Sequence, residues 1–177
     1  RNAAMAEALF WETLAHLRNL CPGFGCGRKY VGLPRRFRRT ITVVDSTTIK
    51  LVANCMDWAR HRRRKAAAKM HLQLDLQSFL PRFALVKAGN THDATEARLV
   101  CAGVRAGEIV VFDKAYLEFR HLHELDERGV FWVSRAKENM QYEVVRERSA
   151  PSGKILRDVI IRLTGARTKT DAPANCA

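Results

Sequence analysis

The sequence lacks the features of a membrane-spanning or disulfide-bonded protein. Within its 177 residues no apolar run reaches the roughly 18 residues that a membrane helix needs. No basic segment followed by an apolar one marks a signal peptide. The five cysteines are odd in number and lack CxxC spacing, which disfavours a disulfide framework and a zinc site. We therefore expect a reduced, cytoplasmic protein with one globular domain.

Methionine is missing from the first position, which is Arg1. This start indicates a fragment of a longer reading frame, and it does not exclude that a targeting segment has been lost. A hydrophobic content of 47% supports a folded core. Cys55 and Cys101 lie in apolar segments and are expected to be small core residues.

Acidic residues are scarce in one part of the chain. The net charge is +13, and residues 28–69 hold 13 Lys or Arg against only Asp45 and Asp57. A lone basic run could be a solubilising surface, but two basic clusters flank one strand-like segment here. Polyanion binding is favoured, because neutralised phosphates release counterions. A membrane surface is less favoured, since the run lacks bulky apolar partners. The predicted contact residues are Arg35, Arg36, Arg38, Arg39, Arg60, Arg62, Arg63, Arg64, Lys65 and Lys69.

Two aspartates each follow a strand-like apolar run. Asp45 comes after ITVV and Asp113 after IVVF. A carboxylate at the carboxyl end of a buried strand lies at the rim of the sheet, where open α/β folds bind ligands. Two such groups brought together repel each other unless a divalent cation lies between them. The pattern therefore predicts a Mg²⁺-type site.

Periodicity predicts a mixed sheet flanked by helices, an α/β fold. In residues 70–76, Met and Leu alternate with His71, Gln73 and Asp75, as in a half-buried strand whose polar face carries these three side chains. Gly129 is the expected C-terminal cap of the last helix. Helices are expected at 3–20, 94–105 and from Phe119 to Leu125, and strands at 41–53, 70–76, 83–86, 109–112, 130–133, 142–148 and 155–163.

Six segments taken in order resemble DDE transposases of the insertion sequence 4 type. Each segment alone is weak, but all six at this spacing are specific, and the match runs from about residue 5 to about residue 165. The segments are VDSTTIKL from Val44, WARHRRRKA from Trp58, HLQLD from His71, GNTHD from Gly89, IVVFDKAY from Ile109 and RGVFWVSR from Arg128.

The resemblance implies a ribonuclease H-like core that cleaves and joins DNA with Mg²⁺ or Mn²⁺. By motif, Asp45 and Asp113 correspond to the first two of three catalytic, metal-binding carboxylates. The expected partners are transposon-end and target DNA, with no membrane and no small-molecule substrate, and a homodimer is left open. The implied location is the nucleoid of a bacterial cytoplasm.

The third carboxylate of the family is missing from the pattern. The family carries it on a helix after a β-rich insertion, and residues 138–165 resemble only the beginning of that insertion. Glu147 has a suitable spacing from Asp113, but its surroundings are strand-like. We therefore expect a truncated, catalytically impaired transposase, or alternatively a non-catalytic DNA-binding remnant acting on transposon ends. The expected divisions are 1–40, an N-terminal helix and basic loop; 41–137, the core; 138–165, the insertion; and 166–177, a disordered tail.

Several other residues allow both a functional and a structural interpretation. Asp93 could approach a metal with His92, but capping of the following helix is favoured. Trp132 is expected in the core, whereas Trp58 could stack on a base or pack. Lys114, next to the second aspartate, could offset charge repulsion or contact phosphate.

Overall fold

A five-stranded mixed sheet is the central feature of the computed structural model, which describes residues 2–24, 38–51, 66–149 and 153–165. Its strands lie in the order β3-β2-β1-β4-β5. The strands are β1 (Ile41–Leu51), β2 (Ala66–Asp75), β3 (Pro81–Ala88), β4 (Ile109–Phe112) and β5 (Phe131–Ser134). The helices are α1 (Ala3–Leu20), α2 (Asp93–Val100) and α3 (Phe119–Glu127).

The strand directions change at β1. The first three strands form an antiparallel meander, whereas β4 pairs parallel to β1 and β5 pairs parallel to β4. Parallel neighbours need crossover connections, and here α2 and α3 lie in the two crossovers. The ribonuclease H-like α/β fold expected from the sequence is confirmed.

The core lies between the sheet and the helices α2 and α3. Val110 of β4 and Leu125 of α3 are fully buried. Burial of one such side chain contributes about 1.5–3 kcal/mol. Cys101 is buried as predicted, and Trp132 packs against this core while its indole N–H donates to Asp126 at 3.1 Å.

The alternating strand β2 buries the face that the sequence pattern assigned to its polar side. His71 and Gln73 are 0% and 2% exposed, whereas Leu72 and Leu74 are only partly buried. The reason is tertiary: α2 contacts β2, and the turn after β4 brings a tyrosine hydroxyl to His71. A buried polar side chain is stable where it finds such a partner.

The helix α2 differs from its prediction at both ends. It ends at Val100 rather than at residue 105, and a turn follows. Its N-cap is His92, and Asp93 does not cap it, because the Asp93 carboxylate pairs with Lys69 instead. The C-cap of α3 is Arg128, and the predicted cap Gly129 is the residue after it, with φ +69° in the left-handed region that favours glycine.

A second, separate sheet follows the core. It consists of β6 (Tyr142–Arg148) and β7 (Asp158–Leu163), which pair antiparallel. Both strands were predicted, but β7 begins at Asp158 rather than at residue 155. Every residue of β6 is exposed. Residues 166–177 and Cys55 lie outside the described residues, and the proposed domain boundaries stay predictions. In the described part of the chain, no helix combines the length and the apolarity needed to cross a membrane.

Candidate active site at the strand ends

The parallel pairing of β1 with β4 places Asp45 and Asp113 side by side. The ladder ends with Val44 opposite Phe112, and the next residue on each chain segment is one of the two aspartates. Paired strands lie about 4.8 Å apart. Val44 and Phe112 are both buried beneath the helices, so alternation directs the following residues toward the opposite face of the sheet. The predicted position on neighbouring strands is therefore what the structure shows.

The Asp45 carboxylate is exposed and held locally. Its Oδ1 accepts a hydrogen bond from the backbone N–H of Ser46 at 2.8 Å. The strand does not end at this aspartate: β1 continues to Leu51, paired with β2. The carboxylate thus projects from a continuous strand, which fixes its backbone better than a loop would.

The Asp113 carboxylate is paired with Arg135, the residue directly after β5. The Arg135 guanidinium donates to Oδ1 from Nη2 at 2.5 Å and from Nε at 3.1 Å. This hydrogen bonding, followed by that of the Lys114 backbone N–H, lowers the pKa of the Asp113 carboxyl from its ordinary value. Asp113 is therefore a stable anion. Nothing in the sequence pattern drew attention to Arg135 as a site residue, although it closes the sixth family-like segment.

A buried polar cluster lies beside Asp45. The Tyr116 hydroxyl is 2.8 Å from Nδ1 of His71 and also interacts with the Ser46 side chain. Burial raises the pKa of Tyr116 and lowers the pKa of His71, so both side chains are neutral near pH 7. Sequence analysis missed this cluster because it placed His71 on a polar face. The available signal was that both residues lie within family-like segments.

The predicted DNA contact Lys69 belongs to the same region and already has partners. Its Nζ lies 2.9 Å from Oδ2 of Asp93 and donates to the carbonyl of Thr91 at 3.3 Å. The side chains of Lys69 and Asp93 are 16% and 14% exposed. This ion pair leaves Lys69 poorly placed to reach a phosphate.

Arg39, another predicted DNA contact, lies near the ends of the strands that are opposite to the aspartates. Its Nη1 donates to the carbonyl of Gly107 at 2.9 Å, and its guanidinium lies 4.5 Å from the ring centre of Phe131. Gly107 precedes β4 and Phe131 begins β5, so both mark the ends of the strands away from the aspartates. Arg38 is exposed. Outside the described residues lie Trp58 and the predicted contacts Arg35, Arg36, Arg60, Arg62, Arg63, Arg64 and Lys65.

An open pocket of about 470 Å³ adjoins Asp113. Lys114 lines it and pairs with Glu138 at 3.5 Å rather than with the aspartate. The Lys137 ammonium donates to the carbonyl of Leu117 at 2.8 Å, which fixes one wall. The pocket therefore combines the carboxylates of Asp113 and Glu138 with two ammonium groups.

Glu147, the weak alternative for the third carboxylate, lies on β6 in the second sheet. Its Oε1 accepts from Nε of Arg157 at 3.0 Å. Among the residues that the structure describes, no group of three or more His, Cys, Asp or Glu side chains could hold a metal ion. Asp45 and Asp113 nevertheless carry hard anionic oxygens on adjacent strands, the ligand type that Mg²⁺ prefers.

These features define a class: a ribonuclease H-like α/β protein with two aspartates on neighbouring central strands of its sheet. The profile of the family described as "Transposase DDE domain" matches residues 36–172. The chain therefore belongs to the DDE transposase family.

Three relatives are named as transposases. A protein assigned as transposase y4zB of Sinorhizobium fredii (strain NBRC 101917 / NGR234) is 33% identical over 147 residues, 83% of this chain and 38% of that protein. A protein assigned to insertion sequence element IS5377 of Geobacillus stearothermophilus is 28% identical over 60% of this chain and 27% of its own length. The IS231E transposase of Bacillus thuringiensis subsp. finitimus is 29% identical, over 58% and 22%. The chain thus spans less than two fifths of these relatives, and the insertion sequence 4 subtype stays a prediction.

Proposed function

We propose that residues 41–137 form the catalytic core of a transposase that cleaves and joins DNA with Mg²⁺ or Mn²⁺. In this proposal Asp45 and Asp113 are the catalytic, metal-binding residues. The observation that carries the proposal is the parallel register that ends with Val44 opposite Phe112, because it places the two aspartates next to each other on neighbouring strands. Family membership supports the reaction type.

The side chains of this site have separable tasks. A bound divalent cation would supply Lewis-acid stabilisation to an in-line phosphoryl displacement. The lowered pKa of Asp113 keeps its carboxylate ionised, and the Ser46 N–H orients the carboxylate of Asp45. In the absence of a cation, the Arg135 guanidinium offsets the repulsion between the two carboxylates.

Cation binding by the two aspartates is the first test. We expect Mn²⁺ to bind the wild-type chain in calorimetry, and Asp45→Asn or Asp113→Asn to weaken it by more than about tenfold, since even indirect changes around a metal cost about 10–100-fold. Asn keeps the size of Asp while removing its charge. Glu127→Gln is the matched control, because this exposed carboxylate lies at the end of α3. Equal binding by all four proteins would refute the assignment of the site.

We further propose that the basic clusters bind DNA through its phosphates, without strong sequence preference. The support is the concentration of positive charge around the first aspartate in the sequence. Phosphate contacts position a protein on DNA but do not read bases. Because Lys69 and Arg39 have structural partners, the proposal concentrates on Arg35, Arg36, Arg38, Arg60, Arg62, Arg63, Arg64 and Lys65.

Salt dependence tests the DNA proposal. Replacing Arg62, Arg63 and Arg64 with Ala should weaken binding to a duplex and reduce the slope of log K against log salt by about 0.9 for each lost phosphate contact. The matched control removes the same charge by replacing three arginines in or directly beside the second sheet with Ala, namely Arg146, Arg157 and Arg162. If both triple variants give the wild-type slope, the run at 60–65 is only a solubilising surface.

A further inference from the structure

Tyr116 joins the two segments that carry the aspartates. It ends the short 3-10 turn Lys114–Tyr116, which begins directly after Asp113. Its backbone N–H donates to the Asp113 carbonyl at 3.0 Å. The position of the Tyr116 ring is therefore tied to the backbone of the second aspartate.

The other end of this side chain reaches the first aspartate's strand. The Tyr116 hydroxyl lies 2.8 Å from Nδ1 of His71, which pairs across the strands with Ser46, the residue that follows Asp45, and it interacts with the Ser46 side chain. Ser46 also uses its backbone N–H to hold the Asp45 carboxylate. One hydroxyl thus connects the Asp113 turn to the residue that orients Asp45.

His71 supports this connection from the neighbouring strand. In the β1–β2 register His71 lies opposite Ser46, and its Nδ1 is 2.8 Å from the Tyr116 hydroxyl. Its Nδ1 also lies 3.6 Å from Oδ1 of Asp93, which Lys69 holds in place. The Tyr116 and His71 side chains are fully buried. A tyrosine ring could pack here without any polar contact, so the matched polar partners point to a role for the hydroxyl.

We propose that Tyr116 is a positioning residue whose hydroxyl, by holding the Asp113 turn against Ser46, sets the separation of the two carboxylates for a divalent cation. The proposal rests on the proposed function. Mg²⁺ requires oxygen ligands at about 2.0–2.1 Å in near-ideal geometry, so a small shift of one strand end impairs binding. The ring, which packs against Phe112 and His71, supplies stability, and the hydroxyl supplies alignment.

The experiment compares Tyr116→Phe with Ser46→Ala, which remove the connection from opposite ends. We expect each to weaken Mn²⁺ binding about tenfold, the range of indirect effects on metal sites. The double variant should lose no more than either single one, because both remove the same interaction. Ser46→Thr keeps a hydroxyl and should bind nearly as the wild type does. Tyr142→Phe, an exposed tyrosine of β6, is the matched control.

The outcomes separate this inference from the proposed function. If Asp45→Asn and Asp113→Asn abolish binding while Tyr116→Phe and Ser46→Ala retain it, the aspartate site stands and the positioning role is overturned. Multiplying losses in the double variant would also overturn it. If the aspartate variants bind as the wild type does, the proposed function itself fails. Should Tyr116→Phe not fold, Ser46→Ala and its Thr rescue decide alone, because Ser46 is only partly buried.

Discussion

At the scale of single residues, the most consequential contact is the one between Asp113 and Arg135. The guanidinium donates two hydrogen bonds to one carboxylate oxygen, and it is itself 76% exposed. An exposed arginine can leave its partner at little cost, since surface ion pairs contribute little to stability. Arg135 therefore competes with a cation for Asp113 without closing the site.

Removing this guanidinium should have two measurable effects. In Arg135→Ala the pKa of Asp113 should rise toward the ordinary value of 3.8, followed by NMR titration of its carboxyl carbon. A lowered folded-state pKa gives stability that is present above the unfolded pKa and lost as pH falls through the folded one, so the variant should lose less stability in acid. Mn²⁺ binding should tighten a few-fold, because the guanidinium no longer competes with the cation for Asp113.

The control for this variant is Arg157→Ala, which frees a carboxylate in the second sheet instead. It should leave both the Asp113 titration and the Mn²⁺ affinity unchanged. An Asp113 pKa that stays at its wild-type value in Arg135→Ala would show that the ion pair does not form in solution.

At the scale of helices and strands, the sequence predicted what depends on neighbouring residues and failed where distant residues decide. The strand β4 matches its predicted limits because its uninterrupted apolar run is a local signal, although only alternate residues of the strand are fully buried. The buried face of β2 was predicted wrongly, because Tyr116 and Asp93, which contact the buried His71 side chain, lie far along the chain. Asp93 was taken for a cap because Lys69 could not be foreseen as its partner.

The close approach of Gly89 to Ala67 of β2 provides a test of the packing of the sheet. A Cβ atom added at Gly89 would lie 2.7 Å from the Cβ of Ala67 and 2.9 Å from its carbonyl oxygen, both on β2. We expect Gly89→Ala to lower the free energy of unfolding by about 1–3 kcal/mol, the usual cost of overpacking. Urea denaturation measures this. Gly103→Ala is the control, because nothing lies within 4 Å of its added Cβ; equal stability of both variants would contradict the packing.

At the scale of the whole molecule, the chain combines two aspartates on neighbouring central strands with a large positive charge of +13. The fold and the paired aspartates could be predicted from sequence because strand patterns and family-like segments coincide there. The basic clusters could not be assigned to a surface by sequence alone, since charge has no periodicity that fixes its position. Binding of DNA and cleavage of DNA are therefore separate questions for this protein.

A plasmid assay separates them. We expect the 177-residue chain to retard DNA in a gel but to leave supercoiled plasmid intact with Mg²⁺ or Mn²⁺. Two carboxylates can hold one hard cation together with water molecules. An in-line phosphoryl displacement is best stabilised by a pair of metal ions, which contact the attacking and the leaving oxygen. Metal-dependent nicking that disappears in Asp45→Asn and Asp113→Asn would contradict this expectation. Glu147→Gln would then show whether the second sheet completes the site.

The change of strand direction at β1 has a consequence for the order of folding. The antiparallel pairs join residues close in the chain, such as His71 and Leu85, while the parallel pair joins Val44 to the distant Phe112. Closing the longer loop costs more chain entropy, and non-local parallel pairing is slow. We therefore expect the meander to form first and β4 to dock later. The two aspartates meet only in that late step, so the nascent chain carries no assembled site until most of its core has been made.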